Sequence, residues 1–374
     1  MLFRDVIGHD NIKARLIQSA QENRISHAQL FHGPHGSGNF GLALAFARYL
    51  SCPNRTDTDS CGMCPTCKKF NSLQHPDLHF SFPHLSRKNN KTATSEDYLE
   101  EWRRMVTEFG YFDFGHWQQQ LNSENKQLTI GVAEAEKIVH KFSLTSYEGG
   151  FKFLILWMPE LMNIACANKL LKTIEEPPPN SLFLLVSHQP EQVISTILSR
   201  TQMTKVPALS DEAMASAVIT HLGVTKPEMA EEIANVSDGN YFKAYTLAKR
   251  SSENPMSERF MDWMRKCYQL DVPQLVTFSD ALHSDGRETI KEFLEYALHM
   301  VRQCIVMNYA GDQLSRFTRA ERAFAQRFAP FINDKNVIEL TEQIERAHYD
   351  VGRNTYAKLT LLDLSLQVNK LLHA

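Results

Sequence analysis

The chain contains no run of about 18 consecutive apolar residues, so no membrane-spanning helix is expected. It also lacks a dominant charge, with 40 Lys and Arg against 43 Asp and Glu and a net charge of −3. That balance excludes a global basic field drawing the whole molecule onto nucleic acid, while leaving room for a local basic face. The opening residues, MLFRDVIGHDNIKARL, have no cationic start followed by an apolar core, so no secretory signal is read there. Without such a signal, clustered cysteines point to metal ligation rather than disulfides. What is present is a globular balance, 43% apolar and 22% charged, over 374 residues. That length suits two or three domains, each able to bury its own core.

The first half alternates helical and strand-like segments. Residues 11–24 carry a helical apolar rhythm through Ile12, Leu16, Ile17 and Ala20. HAQLFHG reads as a short strand running into a glycine loop, and LALAFARYL continues as a helix. FKFLILW (151–157) and LFLLVS (182–187) are short apolar runs of the kind that become buried parallel strands. Between them LMNIACANKLLKTIEE is helical and stops at Pro177-Pro178-Pro179. This order predicts an α/β domain with a parallel sheet. EQVISTI reads as a further helix after the second run.

Residues 80–128 break the rhythm. SRKNNKTATSEDYLEEW is polar, and YFDFGHW is dense in aromatics. The expectation is a solvated insertion, partly loop and partly helix, with a small aromatic cluster of its own. The rival is an exposed aromatic docking patch. Beyond about residue 207 no strand-like run occurs. The predicted layout is an α/β domain over 1–207, a small helical lid over 208–253 punctuated by Gly239, and an all-helical domain over 254–374. Apolar stripes as broad as that of ETIKEFLEYALHMVRQCIVM require packing against one another or against a partner.

Gly33, Gly36 and Gly38 in FHGPHGSGNF stand where a phosphate-binding loop places glycine. The next two positions of such a loop hold Lys, for phosphate charge, and Ser or Thr, for magnesium. Here they are Asn39 and Phe40. Each lost charge-assisted contact is worth roughly 1.5–3 kcal/mol, so binding weakens by about tenfold to a hundredfold per contact. An ATPase of this type also needs an acidic pair at the end of a second strand. FKFLIL ends instead in Trp157-Met158-Pro159, with Glu160 displaced along the chain. Two independent requirements fail, and no ATP hydrolysis is expected.

Cys52, Cys61, Cys64 and Cys67 form a C-x8-C-x2-C-x2-C cluster that suits tetrahedral zinc, with Pro53, Gly62 and Pro65 favouring tight turns. No ligand position is left for water, so the site is read as structural. His75 and His79 are expected to be surface or core residues, and Cys166, Cys267 and Cys304 small buried hydrophobes. In LSRTQ (198–202), Arg200 is either a solvated surface charge or an arginine finger for a neighbour's phosphates, and spacing alone does not choose.

FRDVIGHDNIKARLIQSAQENRISHAQLFHGPHGSGN, the four-cysteine knuckle, HPD (75–77), NKLLKTIEEPP and LSRT together resemble the AAA+ clamp-loader family. The likeness covers residues 1 to about 205 well and the helical remainder loosely, where GNYFKAYTLA and NTYAKLTLLDL fit the family's lid and collar. The resemblance implies an α/β AAA+-like domain with a zinc module at 52–67, a helical lid and an all-α oligomerisation collar. It places Trp157 and Met158 where active members have Asp-Glu, Phe242 where they have a nucleotide-sensing arginine, and Ser187 in the region sensing the γ-phosphate. Ser199-Arg200-Thr201 matches the family's Ser-Arg-Cys, which implies Arg200, supported by Ser199, acting in a neighbour's ATP site. The implied setting is cytoplasmic and bacterial, at the replisome. There the subunit binds structural zinc but no ATP and belongs to a polymerase holoenzyme. Its partners are gamma/tau motor subunits and a delta subunit in a heteropentamer, with sliding clamp and primed DNA reached through the assembly. Rival readings are an ATP-binding motor subunit of the same loader, a zinc-containing DNA-binding scaffold using SRKNNK and Lys68-Lys69, and a ring component with no catalytic contribution.

Overall fold

The computed structural model describes residues 1–88, 91–123, 126–249, 255–353 and 355–373. Asn89 and Asn90 of SRKNNK, the expected 253/254 boundary and Asn354 of NTYAKL lie outside the described residues. The chain divides into two compact units, Met1–Thr246 and Leu247–Ala374.

The first unit is built on a five-stranded parallel sheet. Its strands are β1 (Ala28–His32), β2 (Leu78–Ser81), β5 (Lys152–Trp157), β6 (Ser181–Ser187) and β7 (Gln202–Lys205), in the order β2-β5-β6-β1-β7. A two-stranded ribbon, β3 (Arg87–Lys88) with β4 (Lys91–Thr92), stands apart from it. The strands alternate between two buried faces, as a parallel sheet covered on both sides requires. On β5, Phe153, Ile155 and Trp157 enter one core with α2 (Asn39–Ser51). Leu154 and Leu156 enter the other with α6 (Val132–Ser143) and α7 (Ile164–Glu175). Asn163 caps α7 by accepting from the Cys166 amide at 2.7 Å.

Around this sheet lie α1 (Asp10–Gln21), α3 (Pro65–Asn71), α4 (Leu99–Phe109), α5 (Phe114–Gln120) and α8 (Ser195–Leu198). The region read as helix EQVISTI is a 3-10 turn over Pro190–Gln192 followed by the single turn of α8, a correction. Val193 and Ile197 are its buried anchors. Strands β2 and β7 are also additions to the sequence reading. The helices α9 (Asp211–Leu222), α10 (Pro227–Ser237) and α11 (Tyr241–Lys249) follow, most of them within the first unit. The backbone N–H of Tyr241 donates to the Gly36 carbonyl at 3.1 Å, tying α11 to the glycine loop.

For residues 80–128 the expected mixture of loop and helix is found, with α4 and α5, but the solvated, self-contained aromatic cluster needs correction. Trp102 and Trp117 are fully buried, and Phe82, Trp102, Met105, Val106, Phe112 and Trp117 belong to the main core of the unit. They form neither a solvated cluster of their own nor an exposed patch. On α4, Trp102, Met105 and Val106 recur at helical spacing, and the Trp117 indole donates to the Pro83 carbonyl at 2.7 Å.

The second unit is all-α: α12 (Pro255–Gln269), α13 (Val272–Ser284), α14 (Arg287–Ala310), α15 (Arg319–Phe328), α16 (Val337–Gly352) and α17 (Ala357–Leu372). One core spans them, and in it the Trp263 indole donates to Ser365 Oγ at 2.8 Å. Cys267 and Cys304 are buried in that core and Cys166 in the sheet core, as expected of small hydrophobes.

Candidate functional site

The glycine loop leaves β1 and enters α2, with Gly38 capping the helix at φ +97° and Gly36 at φ +70°. Both angles lie in the left-handed region that favours glycine. At each glycine, protein already fills the space. A Cβ on Gly33 would lie 1.9 Å from the Val206 carbonyl oxygen, and one on Gly36 would lie 1.9 Å from Asn240 Oδ1. At Gly38 the neighbour is the Tyr111 hydroxyl at 3.1 Å. Two loop amides are engaged internally: Gly33 N–H donates to Ser187 O at 3.3 Å and Ser37 N–H to Pro34 O at 3.4 Å.

Asn39 and Phe40 are both buried. Asn39 Nδ2 reaches the Gly33 carbonyl at 3.4 Å and the Ser187 carbonyl at 3.5 Å, bridging β1 to β6. Phe40 packs edge-on to Trp102 and Phe112, with centroids 5.6 and 5.1 Å away. Trp157 completes this group, 5.3 Å from both Trp102 and Phe112. Met158 follows at φ +57°, a left-handed conformation that turns the chain at the strand end. Phe242 stacks on His116 at 4.9 Å and meets Phe109 at 6.3 Å, so the expected sensor position is also taken into aromatic packing. Phe40, Trp157 and Phe242 therefore all face protein contributed by residues 80–128.

Glu160 lies beside this loop. Its Oε1 accepts from the His188 amide at 3.1 Å, its Oε2 is buried without a partner, and burial raises its pKa. Burial also pushes His188 down to about 3, and its ring stacks on His35 at 4.0 Å. Ser187 Oγ accepts from the Gln189 amide at 3.2 Å.

The four cysteines converge. Their sulfurs all lie within 4.8 Å of one another. The separations Cys52–Cys61, Cys52–Cys64 and Cys61–Cys67 are 3.6, 3.9 and 3.9 Å. A tetrahedron with metal–sulfur bonds of about 2.3 Å has an edge of about 3.8 Å, so the geometry fits a tetrathiolate centre. Amides of Cys61, Cys64 and Cys67 each approach a cysteine sulfur at 3.4 Å, and such bonds favour thiolate. Hydrogen bonds from the Met63 and Cys64 amides hold Cys61 down to about 6, whereas burial pushes Cys52 up to about 12. The cluster could hold a metal ion such as zinc. His75 and His79 stand outside it: His75 bonds Glu148 at 3.0 Å, and His79 lies 6.0 Å from the Phe142 ring.

Arg200 follows α8 at the end of a tight turn. Its Nε donates to Glu175 at 2.9 Å, and its Nη1 donates to the Thr196 carbonyl at 3.0 Å and to Ser199 Oγ at 3.4 Å. The side chain is 31% exposed.

A family model described as "DNA polymerase III, delta subunit" matches residues 8–210, more than half of the 374-residue chain. The chain belongs to the DNA polymerase III delta-subunit family. Among curated relatives, the delta' subunit of Bacillus subtilis is 27% identical over 234 residues, 63% of this chain and 57% of that protein. The delta' subunit of Yersinia pestis is 29% identical over 188 residues, 50% of this chain and 43% of that one. The chain thus spans about half the length of the curated relatives it matches. A solved gamma-subunit-related protein of Thermotoga maritima is 13% identical with a TM-score of 0.44, covering 95% of this chain and 98% of that one.

For this member of the delta-subunit family, the structure places Gly33, Gly36, Gly38, Asn39, Phe40, Trp157 and Ser187 at or just beyond the ends of β1, β5 and β6, all of them buried except the half-buried Gly33. Arg200 is in a separate place, on Glu175 at the end of α7. Sequence reasoning missed Tyr111 and Asn240, the residues standing over the loop. Asn240 follows the Gly239 already read as punctuation, and Tyr111 opens the aromatic run YFDFGHW, but neither segment says what it covers. HPD turns out to be a staple: the Asp77 carboxylate accepts from Ser146 Oγ and the amides of Tyr147 and Glu148 at 3.1, 2.7 and 2.9 Å.

Proposed function

We propose that this chain is a non-hydrolysing, delta'-type clamp-loader subunit that binds no ATP itself and supplies Arg200 to the ATP site of an adjacent motor subunit. The observation carrying this reading is that Asn240 and Tyr111 crowd Gly36 and Gly38 and Phe40 is packed among aromatic rings, while Arg200 stays accessible. Asn39 offers a phosphate no positive charge and Phe40 offers magnesium no oxygen, whereas the Arg200 guanidinium would have to leave an exposed carboxylate and its bonds to the Thr196 carbonyl and Ser199 Oγ. Ser199, bonded to the same guanidinium, supports its position.

In this reading the assembly is a head-to-tail heteropentamer with gamma/tau motor subunits and a delta subunit, since finger and pocket are different surfaces. The helical unit from Leu247 onward joins the ring, and exposed Ile338, Tyr349 and Leu359 offer apolar area for that contact. ATP state is thereby coupled to sliding-clamp opening and loading on primed DNA. The setting is the bacterial cytoplasm, and among the described residues no helix is long and apolar enough to cross a membrane. Zinc on Cys52, Cys61, Cys64 and Cys67 is structural: all four sulfurs are used, and the metal would supply a fixed crosslink between α2 and α3.

The test is DNA-stimulated ATPase of the reconstituted assembly carrying Arg200→Ala. A loss on the order of 10³-fold is expected by analogy with other arginine fingers. Unchanged turnover would reduce the subunit to a scaffold. Micromolar binding of labelled ATP by the isolated chain would favour the motor reading instead.

A further inference from the structure

Arg48 lies on α2, one helical turn before Cys52, and is 1% exposed. Its guanidinium has only carbonyl partners: Nη1 donates to Met1 O and Nη2 to Gly62 O, each at 3.4 Å, while Nε has none. Among the described residues no carboxylate pairs with it. The acids of the same corner are engaged elsewhere. Asp59 accepts from the amides of Phe3, Arg4 and Ser60, and Asp5 accepts from the amide of Leu2. Burying an unpaired guanidinium is strongly unfavourable, and two long bonds to carbonyls do not offset it.

Gly62 belongs to the knuckle itself, between Cys61 and Cys64. Four thiolates around one divalent cation carry a net charge of about −2. Three of the four sulfurs are buried and Cys61 is half-buried, so such a centre gains from a nearby cation as Arg48 gains from an anion.

We propose that Arg48 is the buried counter-ion of a tetrathiolate metal centre on Cys52, Cys61, Cys64 and Cys67, and that it strengthens metal retention there. The inference rests on the zinc reading above and adds a positioning residue to it. It makes Arg48 and the metal energetically coupled, so each stabilises the chain more when the other is present.

The experiment compares the parent protein with Arg48→Gln, which keeps a hydrogen-bond donor without charge, and Arg48→Lys, which keeps the charge. Zinc affinity is measured by competition with a chromophoric chelator. Cobalt(II) absorption reports the sulfur ligand set, and Tm is recorded with and without bound zinc. Loss of a partner just outside the ligand set typically costs about 10–100-fold in metal affinity, and that loss is expected for Arg48→Gln. Its Tm deficit should be larger with zinc than without, while Arg48→Lys should hold affinity within about threefold of the parent. Equal affinity for parent and Arg48→Gln, or equal Tm deficits in both metal states, would make Arg48 a brace of the Met1 and Gly62 carbonyls and overturn the proposal. If Arg48→Gln does not fold, Arg48→Met, uncharged and of similar length, takes its place: parent-like zinc affinity in it would overturn the proposal, as would a loss of more than about tenfold in the charge-keeping Arg48→Lys. A parent protein that takes up neither zinc nor cobalt would defeat the zinc reading itself, a distinct result.

Discussion

Arg200 and Phe40 represent opposite kinds of residue, and their environments predict opposite responses. Arg200 is held by Glu175, itself 54% exposed, and such surface pairs contribute about 0–1 kcal/mol. Arg200→Ala and Glu175→Ala should each change the unfolding free energy of the isolated chain by less than about 1 kcal/mol in urea titrations. Any large loss of assembly ATPase in Arg200→Ala would then be functional rather than a folding defect. Phe40 has its ring against Trp102, Phe112 and Phe80. Phe40→Ala should cost about 3–5 kcal/mol in the same assay, with a lowered midpoint at unchanged slope. At this scale the sequence was informative at the four cysteines, whose spacing brings their sulfurs within 4.8 Å of one another. It was silent on Tyr111 and Asn240, whose meaning comes from a contact across many residues of chain.

The elements around the loop explain why restoring its chemistry would fail. Replacing Asn39 by Lys and Phe40 by Thr supplies the missing charge and hydroxyl, yet α11 still bonds Gly36 and the Tyr111 hydroxyl still faces Gly38. The double variant is expected to bind no labelled ATP in equilibrium titration and to be less stable than the parent. The cysteine knuckle acts on its neighbours as well: Cys64 caps α3, and Asp59 within the knuckle loop bonds the amides of Phe3 and Arg4 at 3.1 Å. Removing metal with a chelator should lower Tm and raise hydrogen exchange in the first residues and α3 before it affects β5 and β6. The longer apolar runs of β5 and β6 were legible because both faces are buried. β7 was not, since three of its four residues are exposed and its pattern is that of an edge. α4 was hidden by the polar stretch before it, although its Trp102, Met105 and Val106 spacing was present all along.

For the whole molecule, buried histidines set the response to acid. Burial lowers His79 to about 4 and His188 to about 3, both below the ordinary histidine value near 6.5. Between those limits the unfolded chain binds more protons than the folded one, so stability rises with pH there. Tm should accordingly fall as pH drops from about 6.5 toward about 4, with proton uptake on unfolding, and His79→Phe should flatten that slope. The aromatic group beside the glycine loop has a consequence for substitution one residue at a time. Phe40, Trp102, Phe112 and Trp157 support one another, so removing any one alone opens a void before any ligand exists to fill it. Single large-to-small substitutions within this group all run downhill in stability first. The aromatic filling is therefore self-locking: any stepwise exchange of its members passes through a less stable chain.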